Sequence, residues 1–326
     1  MGTMSERVLV TGGSGFIGRA LVRALVERGA DVHCLLRPGS ATAHLGNGLE
    51  GVHIHRADLV DGEAVHRAVR AVRPQVVFHL AAAGVTDVNV DPAWAVRVNV
   101  EGTLNLLMAL DGAYRAFVNV GTCYEYGRND PPFREGQDPR PELPYAITKT
   151  AAWRFCNRFY RTRGWPIVTV RPFAVYGPGQ AEHTFIPACI RAAQRGVDFR
   201  MTAGKQGRDW IYVSDVVEGL LRAAAVPEAM GGTFNLCTGR ETTLYDVARA
   251  IVSEMGDPIA IQRGVLPYRE GEILHLVGDN ARARAVLGWE PAISLADGLR
   301  RTIAAYATSE VRPSTAEVWS QSERPR

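Results

Sequence analysis

Apolar and polar positions along the first 120 residues alternate between two rhythms. Short β-branched runs recur between stretches of helical spacing, a pattern that reads as βαβ units on a parallel sheet. Arg7–Thr11 predicts a buried strand, Val32–Leu36, Val52–Arg56, Val76–Leu80 and Ala116–Val120 further strands, and Ile167–Val170 a sixth. In Gly18–Gly29, Leu21, Val22, Leu25 and Val26 share one face, with Arg23, Glu27 and Arg28 off it. That segment predicts an amphipathic helix. Glu63–Val72 (stopped by Pro74), Pro92–Leu110 and Tyr145–Arg161 predict further helices. After Arg171 the rhythm breaks. A turn at Gly177–Pro178–Gly179 leads to a helix over Phe185–Arg195, an extended run at Asp209–Val213, a helix at Asp215–Ala225 and a strand at Thr233–Cys237. Thr243–Glu254 and Asn280–Leu287 predict helices of a second layer. Ser309–Arg326, polar and with two prolines, is expected to be a disordered tail.

Composition narrows the field. The 326 residues allow about two domains. The net charge of +3 comes without a basic block, so no nucleic-acid partner is expected. No apolar run approaches the roughly 20 residues a membrane helix needs. The opening MGTMSERVLVTGG enters a strand directly, so no secretory leader is expected. Five scattered cysteines form no CxxC pair, which predicts neither disulfides nor zinc and suits a reducing cytoplasm. His53 and His55 share a strand face, but no third ligand is in view and no metal is expected.

Two constellations carry chemistry. The first is TGGSGFIG over Thr11–Gly18, with Gly12, Gly15 and Gly18 between a strand and an amphipathic helix. Such a turn lets backbone approach a pyrophosphate, and the helix N-terminus offers free N–H groups to it. Phe16 and Ile17 belong to the same turn. An NAD site places a carboxylate after the second strand to hold the ribose 2′-hydroxyl. Here Leu36 and Arg37 stand there. Arg37 can pair with a 2′-phosphate, so NADP(H) is expected over NAD(H), which stays possible. Asp58 and Leu59 after the third strand could hold the adenine. Ala81 and Ala82 after the fourth are small enough for a ribose to pack on the backbone.

The second constellation is Tyr145-Ala-Ile-Thr-Lys149, a phenol and an ammonium one helical turn apart. A nearby lysine can lower the phenol pKa toward useful acid–base work. Thr122, at the carboxyl edge of the sheet, could hold a carbonyl oxygen while Tyr145 moves the proton.

Together these residues resemble the extended short-chain dehydrogenase/reductase family, in its nucleotide-sugar branch. The likeness runs from about Arg7 to Tyr306. It includes HLAA (His79–Ala82), NVEGT (Asn99–Thr103), GTCYEYG, RPFAVYGPGQ (Arg171–Gln180), RDWIYVSDVV (Arg208–Val217) and YREGE (Tyr268–Glu272). The resemblance implies Thr122, Tyr145 and Lys149 as the catalytic triad and Arg208 and Arg269 as contacts to a substrate diphosphate. It further implies a homodimer built on helices Pro92–Leu110 and Tyr145–Arg161.

The fold expected is α/β, a doubly wound parallel Rossmann sheet with a second, smaller α/β domain. Residues 1–172 and 208–239 would bind the dinucleotide, and 173–207 with 240–308 the substrate. Departures from the family pattern select a reaction. Cys123 and Tyr124 replace the acidic pair that 4,6-dehydratases use, and Tyr124 replaces the glutamate of decarboxylases. Glu125 lies one residue further, so its side chain should face elsewhere. Ala174 stands where many epimerases carry an asparagine. The reading is NADPH-dependent reduction of a nucleoside-diphosphate 4-keto-6-deoxyhexose, with an NAD-dependent 4-epimerase as the alternative.

Overall fold

Seven parallel strands form the larger sheet. They are β1 (Arg7–Thr11), β2 (Asp31–Leu36), β3 (Val52–Arg56), β4 (Val76–His79), β5 (Ala116–Val120), β6 (Ile167–Pro172) and, after three strands elsewhere, β10 (Thr233–Leu236). Their order is β10-β6-β5-β4-β1-β2-β3. The order reverses between β1 and β4, the place where open α/β sheets bind ligands at their carboxyl ends. These relations come from a computed structural model that describes residues 5–40, 51–87, 89–269 and 271–307. The tail expected over 309–326 lies outside the described residues.

Period-two alternation explains the layers. Val8, Val10, Val32, Cys34, Val76 and Phe78 face one side, under helices 16–27 and 213–225. Leu9, Leu35 and Val77 face the other, under helices 62–72, 102–110 and 144–163. Helix Phe16–Glu27 buries Leu21, Val22 and Leu25. Each such side chain contributes about 1.5–3 kcal/mol when buried.

Element boundaries differ from expectation where caps decide them. The first helix starts at Phe16, two residues before Gly18, because Gly15 is its extended N-cap. Helix Gly62–Val72 is capped by Asp61, whose carboxylate accepts the Ala64 N–H at 2.9 Å. The helix expected over Pro92–Leu110 is interrupted. Pro92–Val96 and Gly102–Leu110 are α-helical, but Arg97–Glu101 is a π turn. That turn directs Asn99 inward, fully buried.

The second unit centres on β9 (Gly207–Tyr212), which pairs with β7 (Ala174–Tyr176), β11 (Glu241–Thr243) and β13 (His275–Leu276). Strands β8 (Phe199–Arg200) and β12 (Ile261–Gln262) pair separately. Helices 185–195, 244–254 and 295–307 cover a core that includes Ile186, Ile190, Val247, Ile251 and Leu299. Segment 208–239, expected to return to the large sheet, is divided. Helix Val213–Ala225 and β10 return to it, and β9 does not. Pairing explains this, since β9 takes β7, β11 and β13 as its neighbours; its buried Asp209 carboxylate accepts from the Thr238 N–H, the Thr238 hydroxyl and the N–H groups of Gly239 and Gly278, at 2.6–3.3 Å. Those bonds hold β9 against the segments that follow β10 and β13.

Candidate active site

The cradle forms as expected after β1. Gly12 has φ +70°, and a Cβ there would lie 2.7 Å from the Ala81 nitrogen. A methyl on Gly18 would overlap the Gly12 carbonyl oxygen. Both positions therefore exclude side chains. Helix 16–27 has no side-chain cap and no acidic residue in its first turn. Its free N–H groups and positive dipole end suit an anion. Gly12, Gly15, Phe16, Ile17 and Gly18 are together here, beside half-buried Ala81 and Ala82. The residues present fit a dinucleotide pyrophosphate.

At the other end of this groove, Arg37 is exposed at the end of β2. Arg56, which the sequence reading passed over, lies opposite Leu36 in register. Its guanidinium donates to the carbonyls of Arg37 (3.2 Å) and Ser40 (2.9 Å). The two arginines therefore flank the same short loop. Asp58 is half-buried and accepts the Val60 N–H at 3.2 Å. Leu59 is buried in the core, and its carbonyl accepts from Asn105 at 2.8 Å. Its side chain belongs to the core cluster that includes Val65 and Leu106.

A buried polar chain links the cradle to helix Pro144–Arg163. The Ala81 N–H donates to Thr11 Oγ1 (3.2 Å), and Thr11 meets His79 Nδ1 at 2.7 Å. His79 Nε2 meets Thr103 Oγ1 at 2.9 Å, and Thr103 donates to the Asn99 carbonyl at 2.6 Å. One direction satisfies every proton: Thr11 donates to Nδ1, and Nε2–H donates to Thr103. His79 is thus neutral, and burial together with Lys149 holds its pKa down at about 3. The Asn99 side chain accepts the Ala83 N–H and donates to the Ala83 carbonyl and to Thr148 Oγ1, at 2.8–3.0 Å. Thr148 in turn reaches the Pro144 and Tyr145 carbonyls.

Thr122, Tyr145 and Lys149 come together at the carboxyl end of β5. Thr122 caps a one-turn 3₁₀ helix, Cys123–Tyr126. Tyr145 is the second residue of helix Pro144–Arg163, and Lys149 lies one turn on, 1% exposed. Burial pushes the Tyr145 phenol up, and Glu125 adds to this, while a hydrogen bond with Thr122 opposes it. The expected lowering by Lys149 is therefore not what governs this phenol; burial outweighs it. Burial lowers Lys149, and Glu125 opposes that shift. Glu125 is fully buried, with its carboxylate on the Thr122 N–H and the Arg171 guanidinium.

The substrate end is less open than the sequence implied. Arg208, mostly buried, donates to the Gly207 and Ile273 carbonyls (2.8 and 2.9 Å) and to Glu272 Oε1 at 2.5 Å. Arg269 is exposed. Burial pushes the Tyr124 phenol up, Arg208 and Arg269 oppose this, and Cys123 and Glu272 add to it. Tyr124, used in the sequence reading only to exclude reactions, stands among these charges.

The structure supplies the third histidine that sequence reading lacked. His33 Nδ1 lies 3.0 Å from His55 Nε2, and Asp31 Oδ1 lies 3.3 and 3.4 Å from His33 and His53 Nε2. His33 Nδ1 is taken up by His55, its Nε2 makes no hydrogen bond, and Asp31 Oδ1 lies near both His33 and His53. Among the described residues, no group of three or more such side chains is placed to hold a metal ion.

A family model described as the NAD dependent epimerase/dehydratase family matches residues 8–237. A UDP-glucose 4-epimerase from Mycolicibacterium smegmatis is 32% identical over 308 residues, covering 91% of this chain and 97% of the relative. A GDP-6-deoxy-D-mannose reductase from Pseudomonas aeruginosa is 31% identical, covering 91% and 96%. The solved structure of the Thermus thermophilus UDP-glucose 4-epimerase in complex with NAD matches with a TM-score of 0.84 and 31% identity, over 93% of this chain and 100% of that one.

Proposed function

This chain belongs to the NAD dependent epimerase/dehydratase family, and from that premise we infer that it is an NADPH-dependent reductase of a nucleoside-diphosphate 4-keto-6-deoxyhexose, acting at C4. Its relatives make it an enzyme acting on nucleotide sugars. The observation that carries the finer reading is the end of β2. Arg37 is exposed there with Arg56 beside it. The sequence Leu36-Arg37-Pro38-Gly39-Ser40 offers no carboxylate. A 2′-phosphate meets positive charge at that place.

When bound, NADPH supplies the hydride. The chain's residues bind, orient and move the proton. The Gly12–Gly18 turn and the uncapped helix hold the pyrophosphate. Arg269 and Arg208 hold the substrate diphosphate, Arg208 from a guanidinium braced on Glu272. The Thr122 hydroxyl orients the keto oxygen, Tyr145 protonates it, and Lys149 holds the nicotinamide ribose. A phenol pushed upward stays protonated at neutral pH, as a proton donor must.

Arg37→Ala should weaken NADPH by about 1–3 kcal/mol, the value of a lost charge-assisted contact, and NADH much less. Fluorescence titration of both dinucleotides measures this. Equal affinities in the parent would overturn the cofactor assignment.

The similarity to UDP-glucose 4-epimerase favours the second reading, because Thr122, Tyr145 and Lys149 serve an NAD-dependent 4-epimerase equally well. The two separate cleanly. A reductase consumes one NADPH per 4-keto sugar and leaves deuterium from labelled NADPH at C4. Mixed with UDP-glucose and no added cofactor, it forms no UDP-galactose. Equilibration of those two sugars would rule out the reductase.

Exposed Val96, Met108, Ile147 and Phe155 on helices 92–110 and 144–163 support a homodimer through that face. Five free, buried cysteines support a cytoplasmic setting. Among the described residues, no helix is long and apolar enough to cross a membrane.

A further inference from the structure

Beneath the catalytic residues lies an ion pair with no solvent contact. Glu125 and Arg171 are each 0% exposed, and Glu125 Oε2 lies 2.9 Å from Arg171 Nε and 2.8 Å from Nη2. The guanidinium is held between the rings of Tyr126 (4.6 Å) and Trp153 (4.8 Å). Tyr126 is fixed by its bond to Asn235 at 2.6 Å. A buried ion pair adds little stability over well-packed apolar side chains. Its presence here needs another reason.

The second carboxylate oxygen supplies one. Glu125 Oε1 accepts the Thr122 N–H at 2.8 Å, and Thr122 Oγ1 accepts the Tyr124 N–H at 3.3 Å, closing a capping box. We propose that Glu125, held by Arg171 against Trp153 of the helix that carries buried Lys149, is a positioning residue of the reaction: it aims Thr122 and keeps Lys149 protonated. The proposal rests on the role given above to Lys149 at the dinucleotide ribose.

Burial alone would drive Lys149 toward its neutral amine, and Glu125 is the strongest charged influence against this. Cys156, on the same helix, and His79, at the end of β4, also face Lys149. Burial raises the Cys156 thiol to about 12, and His79 is neutral above about pH 3. Neither is charged at neutral pH. Glu125 is likewise the strongest charged influence on Tyr145, alongside Thr122, Cys123 and Tyr124. One carboxylate thus acts on all three members of the triad.

The test is Glu125→Gln, which keeps the shape and an oxygen for the Thr122 N–H but removes the charge. Binding of NADPH and of NADH is titrated against pH by fluorescence, so the result depends neither on reaction direction nor on cofactor preference. Without the charge Lys149 loses its proton at lower pH. The alkaline fall in affinity should move down by about 1 pH unit or more. An unmoved limb in the folded variant overturns the proposal, because a purely structural ion pair would alter stability alone. If the unpaired arginine prevents folding, Glu125→Gln combined with Arg171→Gln removes both charges. Arg171 is not among the groups acting on Lys149. The limb should move equally in the double variant, and an unmoved limb there is equally decisive against the proposal. Failure of the reductase reading shows elsewhere, as equilibration of UDP-glucose and UDP-galactose by the parent enzyme.

Discussion

Replacing Tyr145 with phenylalanine is expected to lower turnover by roughly 10²–10⁴, the range for loss of a positioned general acid. The ring stays, so the packing of helix 144–163 and dinucleotide affinity should survive. Thr122 keeps its backbone box with Glu125. The measurement is NADPH consumption with a 4-keto sugar, set beside a fluorescence titration of the dinucleotide. Parent-like turnover would remove Tyr145 from proton transfer. Loss of binding together with turnover would show that the phenol serves the fold.

Acid should weaken the protein through His79. The folded state keeps this imidazole neutral down to about pH 3, while an unfolded chain takes up the proton near 6.5. Between those values the unfolded state binds one more proton, so stability falls as pH falls, by up to about 1.4 kcal/mol per pH unit. The loss levels off below the folded value. Protonation at Nδ1 would face the hydroxyl proton of Thr11 and break the one direction in which the chain from Ala81 to Asn99 is satisfied. Urea midpoints measured from pH 7 to pH 4 check this. His79→Gln should be less stable at pH 7 and should flatten the dependence. A parent slope unchanged by the substitution would assign the acid sensitivity to other groups.

The cradle and the Tyr145–Lys149 pair were legible because their chemistry sits within one turn of chain. Glycine spacing reports a close backbone approach, and a four-residue spacing reports a helix face. The strands of the large sheet were legible from short β-branched runs for the same local reason. What was not legible depended on partners distant in sequence. Glu125 and Arg171 are 46 residues apart, and no periodicity joins them. Arg56 reaches the loop after β2 only through the register of β3 against β2. The division of 208–239 follows from the pairing of β9 with β7, β11 and β13, partners set by no local pattern. The π turn at Arg97–Glu101 has a local signal in NVEGT, where Gly102 lets the helix approach Leu59, but helical spacing alone reads straight through it.

The bond between Thr122 and Glu125 also limits the routes by which this chain can change. Gly121 precedes Thr122, and a methyl group on it would overlap Glu125 Oε1. Positions 121 and 125 are therefore epistatic. A larger residue at 121 is tolerated only after 125 has become smaller, and that first step leaves Arg171 buried without its counter-ion. A single substitution at either position is therefore expected to cost stability, by overlap at 121 or by an unpaired Arg171 at 125. Descendants of this chain are held to Gly121, Glu125 and Arg171 as a set, or must exchange the set together.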